Sequence, residues 1–376
     1  MGLLRARGNW LVTHGFLEPS LSRPIVSDLR RQLLLGQVIP AHPLALDADR
    51  HLDERRQRAL TRYYLDAGSG GLAVGVHSTQ FEIRDPGIDL FAPVLELAAE
   101  TVRASLLERP RPFALVAGIC GRTDQAMREI GLSVSLGYDA GLVSMTAFRE
   151  ASPDDIVDHL RRVSEVLPVI GFYLQPAVGG RVLPYAFWRR LMEIENLVSV
   201  KMAPFNRYQT IDVVRALADS GREDIALYTG NDDSIVTDLL TPFNFGGEGD
   251  RSRTIRILGG LLGQWGVWTR RAVEMMARIR EVREAARIDS EWMTANARLT
   301  DANAAIFDAA NGFAGVIPGI LEVLRRQGLL EGTWCLNPEE RLSPGQAEEL
   351  DRVSRDYPEL TDDTFVRENL DGWLRG

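Results

Sequence analysis

Lys201 is the only lysine among 376 residues, and arginine fills the other 42 basic positions. A chain that uses guanidinium wherever a cation serves has kept one amine. The amine, with an ordinary pKa of about 10.4, can be lowered by burial until it acts as base or nucleophile, whereas arginine stays protonated. Lys201 lies in Asn196-Leu-Val-Ser-Val-Lys-Met-Ala-Pro204, an apolar, β-branched run that reads as a buried strand. Desolvation there favours the neutral form. The plainer alternative is a residual lysine whose ammonium snorkels to the strand end. Other polar groups gather where further apolar runs end: His42-Pro43, Gly75-Val76-His77-Ser78-Thr79-Gln80, Thr146-Ala147-Phe148, Tyr173-Leu174-Gln175-Pro176 and Gly230-Asn231-Asp232-Asp233. An amine beside a tyrosine hydroxyl, a histidine and a glycine-lined backbone is the set carbinolamine chemistry requires. The amine attacks a ketone, the hydroxyl relays protons, and backbone N–H groups hold the adjoining carboxylate. Tyr173 suits a packing aromatic as well, and His42 and His77 suit hydrogen-bonded structural histidines.

The elements that must position these groups follow a regular beat. Strand-like runs at 37–41, 71–76, 113–119, 140–145, 169–174, 197–202, 225–229 and 243–246 alternate with helical spacing at 53–66, 86–107, 153–166 and 184–195. Eight such repeats predict a parallel α/β fold, a (βα)8 TIM barrel, whose chemistry sits at the C-terminal ends of the strands. No glycine-rich dinucleotide fingerprint follows the first strand, which argues further against an open sheet; no cofactor is expected. The spacing then turns helical near 254–287, 289–311 and 313–328. Trp265, Trp268, Met275 and Met276 at helical spacing read as core or subunit contact. Ser343-Pro344-Gly345-Gln346 has the form of a capping box, predicting a helix over 344–355. The expected organisation is an N-terminal arm (1–35), a barrel core (36–250), a C-terminal helical bundle (251–330) and a helical tail (331–376).

Composition bounds the function class. A formal charge of −9 without basic runs flanked by aromatics argues against nucleic-acid binding, and no stretch approaches 18 apolar residues. Cys120 and Cys335 lie far apart with no CxxC, which fits a reducing compartment. A soluble, cytoplasmic protein without a membrane partner is expected.

The order Gly75-Val-His-Ser-Thr-Gln-Phe-Glu82, Gly171-Phe-Tyr-Leu-Gln-Pro176, Val200-Lys-Met-Ala203, Gly230-Asn-Asp-Asp233 and Phe245-Gly-Gly-Glu-Gly249 resembles the dihydrodipicolinate synthase and N-acetylneuraminate lyase superfamily over roughly residues 36–330. In that family a tyrosine stands ahead of the Schiff-base lysine at the same separation as Tyr173 from Lys201. The resemblance implies a barrel with a C-terminal helical bundle, and a 2-oxo acid such as pyruvate, or a sugar-acid derivative, bound to Lys201 as an imine. It also implies Tyr173 as proton relay and a homo-oligomer, dimer or tetramer. There are departures. The family's Gly-Thr-Thr-Gly-Glu becomes Gly75-Val76-His77-Ser78-Thr79, without the relay threonine. Val178 stands where the synthase branch has a substrate-clamping arginine, so dihydrodipicolinate synthesis itself is not expected. The second relay tyrosine falls near Phe148. A roomier second-substrate pocket follows, with His42, Gln175, Asn206, Arg207 and Asn231 as candidate lining beside Gly75 to Ser78 and Gly230. The resulting reading is an aldolase or dehydratase acting through Lys201. Two others stay open: a barrel that binds a metabolite without turnover, and a metal-assisted enzyme using His42, His77, Glu82 or Asp232, although no paired-histidine ligand spacing is present.

Overall fold

The computed structural model describes residues 26–246 and 253–375. Most of the proposed N-terminal arm, and Gly247 to Gly249 of the glycine-rich stretch, lie outside them. Within them, ten strands are β1 (Val38–Pro40), β2 (Gly71–Val74), β3 (Ala114–Ile119), β4 (Ala140–Val143), β5 (Val169–Leu174), β6 (Leu197–Ala203), β7 (Ala226–Thr229), β8 (Phe243–Phe245), β9 (Arg253–Ile255) and β10 (Ile257–Leu262). Eight of these form one parallel sheet in the order β1-β10-β7-β6-β5-β4-β3-β2. A parallel bridge between Ala41 and Ala73 closes it into a barrel. Short apolar strands such as Ala-Leu-Val-Ala-Gly-Ile in β3 are buried on both faces, which only a parallel sheet wrapped in helices permits.

The eighth barrel strand is not where the apolar beat placed it. Phe243–Phe245 pairs antiparallel with Arg253–Ile255 as a small hairpin, and Ile257–Leu262 inserts between β7 and β1. The barrel therefore runs past residue 250. Ile-Leu-Gly-Gly-Leu-Leu carries helix-compatible residues and two glycines, so propensity did not mark it as a strand. Tertiary packing requires those glycines: a Cβ on Gly260 would sit 2.6 Å from the Trp265 ring, and one on Gly259 2.5 Å from the Gln37 carbonyl oxygen.

The helices around the barrel are α1 (Val26–Leu34), α2 (Glu54–Ala67), α3 (Phe91–Glu108), α4 (Thr123–Ser135), α5 (Pro153–Ser164), α6 (Tyr185–Leu191), α7 (Arg207–Ser220) and α8 (Ile235–Leu240). Their starts have ordinary causes. The Asp53 carboxylate accepts from the Arg56 N–H at α2, and Ser152 and Asp155 form a capping box before Pro153 at α5. Helix α1 plugs the N-terminal end of the barrel with Leu29 and Leu33, which join the interior cluster that contains Ile39, Val116 and Phe172. Helices α9 (Thr269–Val282), α10 (Glu291–Ile306) and α11 (Val316–Arg326) form the bundle, with Trp265, Trp268 and Met276 buried.

The tail holds α12 (Gln346–Asp356) and α13 (Asp363–Arg375). Helix α12 starts two residues later than the capping-box pattern predicts. The Gln346 side chain does accept from the Ser343 N–H (3.1 Å), but the Ser343 hydroxyl donates to Asp308 instead. Helix α13 lies on α2, where Trp373 donates its indole N–H to Asp66 (2.7 Å) and packs 5.5 Å from the Tyr63 ring. Buried Asp362 ties the tail down by accepting from the Tyr63 hydroxyl (2.8 Å), the Arg270 N–H (3.0 Å) and the Gln327 amide (2.8 Å). Replacing Asp362 by alanine strands three donors, so it is expected to lower urea stability by about 1–3 kcal/mol. An unchanged unfolding midpoint would show that the tail adds nothing to the core.

Candidate active site

Lys201 projects from β6 into a narrow cavity of about 90 Å3 at the C-terminal ends of the strands, opposite α11. Its neighbours in register are Phe172 on β5 and Tyr228 on β7. The ammonium nitrogen lies 4.5 Å from the centre of the Phe172 ring. Gly230 leaves the room: a Cβ there would stand 2.7 Å from Lys201 Cε. Burial pulls the amine below its ordinary pKa, an effect that Asp232 partly opposes. Burial likewise pushes the Asp232 carboxyl up, while Lys201 and the Gln264 N–H at 3.3 Å pull it down. The same desolvation thus acts on both and narrows the gap between them, with the amine still the more basic of the two. A wider cleft of about 590 Å3 between α9 and α10 contains neither group.

The segment after β2 supplies the polar wall. Gly75 takes a left-handed φ of 75°. Its N–H and that of Val76 donate to the Thr79 hydroxyl oxygen at 3.0 and 3.2 Å, and this hydroxyl donates onward to the His42 carbonyl (2.7 Å). Those two amides therefore hold the loop rather than forming the expected cradle. Val76, His77 and Ser78 do line the cavity. Ser78 Oγ is buried without a hydrogen-bond partner, a cost that an acceptor in the cavity would relieve. Burial, with Lys201 adding to it, lowers His77 to about 4, so its ring is neutral near pH 7.

Tyr173, the expected relay, is not in this cavity. Its hydroxyl lies between the barrel and α6, accepting from the Leu183 N–H at 3.3 Å, and its ring stacks 4.6 Å from Trp188. The cause is a register break. Val169 pairs with Leu197, but the next residue, Ile170, pairs with Ser199, so that Val198 is passed over. Beyond that irregularity Phe172 faces Lys201, and Tyr173 turns to the opposite face. His42 is likewise elsewhere, fully buried and hydrogen-bonded to the Pro43 carbonyl, Gln57 and Thr61. Asn206 caps α7 by accepting from the Tyr208 and Gln209 N–H groups. Arg207 pairs with Asp238 at 2.5 Å. Asn231 braces the loop between the Phe205 N–H (3.0 Å), Thr210 (3.1 Å) and Asp238 (3.0 Å). Of the expected lining only Gln175, Gly230 and the Val76–Ser78 stretch reach the cavity. Phe148, near the second relay position, packs 4.5 Å from the His159 ring. Among the described residues no three His, Cys, Asp or Glu side chains converge as a metal-binding group.

The opposite wall carries no sequence motif. Phe205, Phe307, Phe313, Val316 and Ile320 close the cavity. Phe205 and Phe313 meet edge to face with centroids 6.1 Å apart. Both have left-handed backbones, φ 51° and 70°, which bulky residues adopt only when their surroundings hold them there. The tail supplies that hold for Phe313. The Asp308 carboxylate accepts from the Gly315 N–H (3.0 Å), Asn311 (2.6 Å) and the Ser343 hydroxyl. The Gln346 amide donates to the Gly315 carbonyl (3.0 Å) and the Ile306 carbonyl (3.3 Å).

Competitive labelling of Lys201 with an amine-selective reagent, read by peptide mapping, is expected to titrate below the ordinary value of about 10.4; a midpoint at or above it contradicts the desolvated site. Gly230→Ala is expected to displace the Lys201 side chain and suppress that labelling, whereas wild-type reactivity would show that the lysine has room elsewhere.

Comparison with known proteins bears on the fold and the family. A 4-hydroxy-tetrahydrodipicolinate synthase of Desulforudis audaxviator is 28% identical over 231 residues, 60% of this chain and 71% of that protein. Among solved structures, a dihydrodipicolinate synthase from Acinetobacter baumannii complexed with pyruvate aligns with a TM-score of 0.68 at 17% identity, covering 86% of this chain and 99% of that one. N-acetylneuraminate lyase from Fusobacterium nucleatum, also complexed with pyruvate, gives 0.65 at 17% identity, with 86% and 97% covered. At such identities these two likenesses speak for the fold. The family model described as the dihydrodipicolinate synthetase family matches residues 34–352, and with that span, the barrel and the strand-borne lysine together, the chain belongs to this family.

Proposed function

We propose that the protein is an imine-forming lyase, an aldolase or dehydratase, that acts on a 2-oxo acid such as pyruvate through Lys201. The observation that carries this reading is a solitary, desolvated lysine in a family barrel, electrostatically linked to an acid with its pKa raised toward neutrality. Pyruvate in two of the structural relatives supports the choice of oxo acid. The neutral amine of Lys201 attacks the ketone carbon, and the carbinolamine oxygen takes a proton from the Asp232 carboxyl. That oxygen leaves as water, its second proton coming from the attacking nitrogen, and the protonated imine remains. The resulting Asp232 carboxylate then accepts a proton from the carbon or oxygen acid of the bound adduct, as bond cleavage requires. Ser78 Oγ, buried and unpartnered, suits the substrate carboxylate. Asp232 thus takes the proton-relay role that Tyr173 cannot reach. As in the family pattern, the active form is proposed to be a soluble, cytoplasmic homo-oligomer.

The deciding experiment is intact-protein mass spectrometry after borohydride reduction with pyruvate and longer 2-oxo acids, with peptide mapping. An adduct on Lys201 is expected; none with any oxo acid would sink the imine reading. Phe172 in place of a relay hydroxyl favours one second reading, a barrel that binds the oxo acid without turnover, and ligand-induced stabilisation without any adduct would establish it. Lys201→Arg is expected to abolish turnover with the fold intact, because guanidinium cannot form the imine. Asp232→Asn is expected to slow adduct formation by roughly 10²- to 10⁴-fold, the usual worth of general acid–base help. Tyr173→Phe is expected to change it little, and a loss as large as that of Asp232→Asn would return the relay to Tyr173.

A further inference from the structure

We infer that the second-substrate side of this cavity takes an apolar group, an aryl or branched-alkyl aldehyde or the 2-oxo acid that carries it, rather than a polyhydroxylated or anionic chain. This rests on the imine reading and narrows its substrate class. Apart from Lys201, no cationic side chain lines the cavity among the described residues, so a second anionic group on the substrate would find no counterion. The groups able to hydrogen-bond a sugar hydroxyl are nearly all spent. Asn206, Arg207 and Asn231 serve the loop and α7, and His42 is sealed behind the cavity. What remains polar is Lys201 with Asp232 and His77, which act on it electrostatically, and the side chains of Ser78 and Gln175.

The rest of the wall is aromatic or aliphatic. Phe172 and Leu174 come from β5, Phe205 follows β6, and Phe307, Phe313 and Ile320 descend from the bundle. Desolvating a hydroxyl against such walls without a partner is costly, whereas an apolar ring gains from leaving water. The edge-to-face Phe205–Phe313 pair, held in left-handed backbone by the loop and the tail, presents a preformed aromatic surface to a planar group. Strained backbone at two bulky residues facing one cavity is the kind retained for binding.

The test uses the full chain and compares reductive trapping by three oxo acids that share the same head: pyruvate, 2-oxo-4-phenylbutanoate and a six-carbon 3-deoxy-2-oxo sugar acid. At equal subsaturating concentration, occupancy of Lys201 by the phenyl compound is expected to exceed that of the sugar acid by at least about tenfold, the scale of hydrophobic-pocket discrimination. Phe313→Leu and Phe205→Leu are each expected to lower the phenyl-to-pyruvate ratio several-fold. The ratio is internal to each protein and so is insensitive to partial loss of folded material. A pyruvate adduct with equal or better trapping of the sugar acid would overturn the substrate class and leave the imine standing. Failure of all three to trap would overturn both.

Discussion

Everything at the mouth of this barrel depends on one largely buried amine. An isolated ammonium in such a place is expensive, and the protein meets the cost with a single carboxyl, Asp232, instead of an arginine-rich or hydrated surround. Because the same burial disfavours both charges, the amine is a weaker base and the carboxyl a weaker acid than either would be in water. Reactivity here is a property of the surroundings. A lysine on the same strand with its nitrogen in solvent would be an ordinary cation.

Maintaining that environment requires the rest of the fold to exclude water and to leave space. Gly230 clears the path of the lysine side chain, Phe172 lies under its nitrogen, and the Gln264 amide fixes one oxygen of Asp232. Thr79, bonded to the two amides after β2 and to the His42 carbonyl, keeps the Val76–Ser78 turn in place. His42, Asn206 and Asn231 contribute in the same indirect way. They hold backbone, and that employment removes them from contact with a substrate.

Much of this was legible in the chain. The lone lysine in a β-branched run, the alternation of strands and helices, and the polar groups at strand ends led to the barrel and to Lys201. The failures have specific physical sources. Counting residues from Tyr173 to Lys201 assumes unbroken pairing, and a single irregularity at Val169 and Ile170 is enough to exchange Tyr173 for Phe172. The last barrel strand hid because Gly259 and Gly260 are demanded by close packing, which is invisible without the neighbours. Polar residues such as Asn231 have chemistry suited to ligands and to loops alike, and only their partners distinguish the two. The aromatic wall has no local signature at all, since Phe205 and Phe313 are brought together from segments far apart in the chain, one after a barrel strand and one inside the bundle.

The brace from Ser343 and Gln346 to the loop bearing Phe307 and Phe313 separates two inheritances within one molecule. Lys201 stands on β6 and Asp232 on the turn directly after β7, elements whose replacement would dismantle the barrel. The facing wall hangs from a peripheral helix and a loop, where insertions and exchanges are far better tolerated. Changes to the suspension of that wall could therefore reshape one side of the cavity while the surroundings of Lys201 stay as they are.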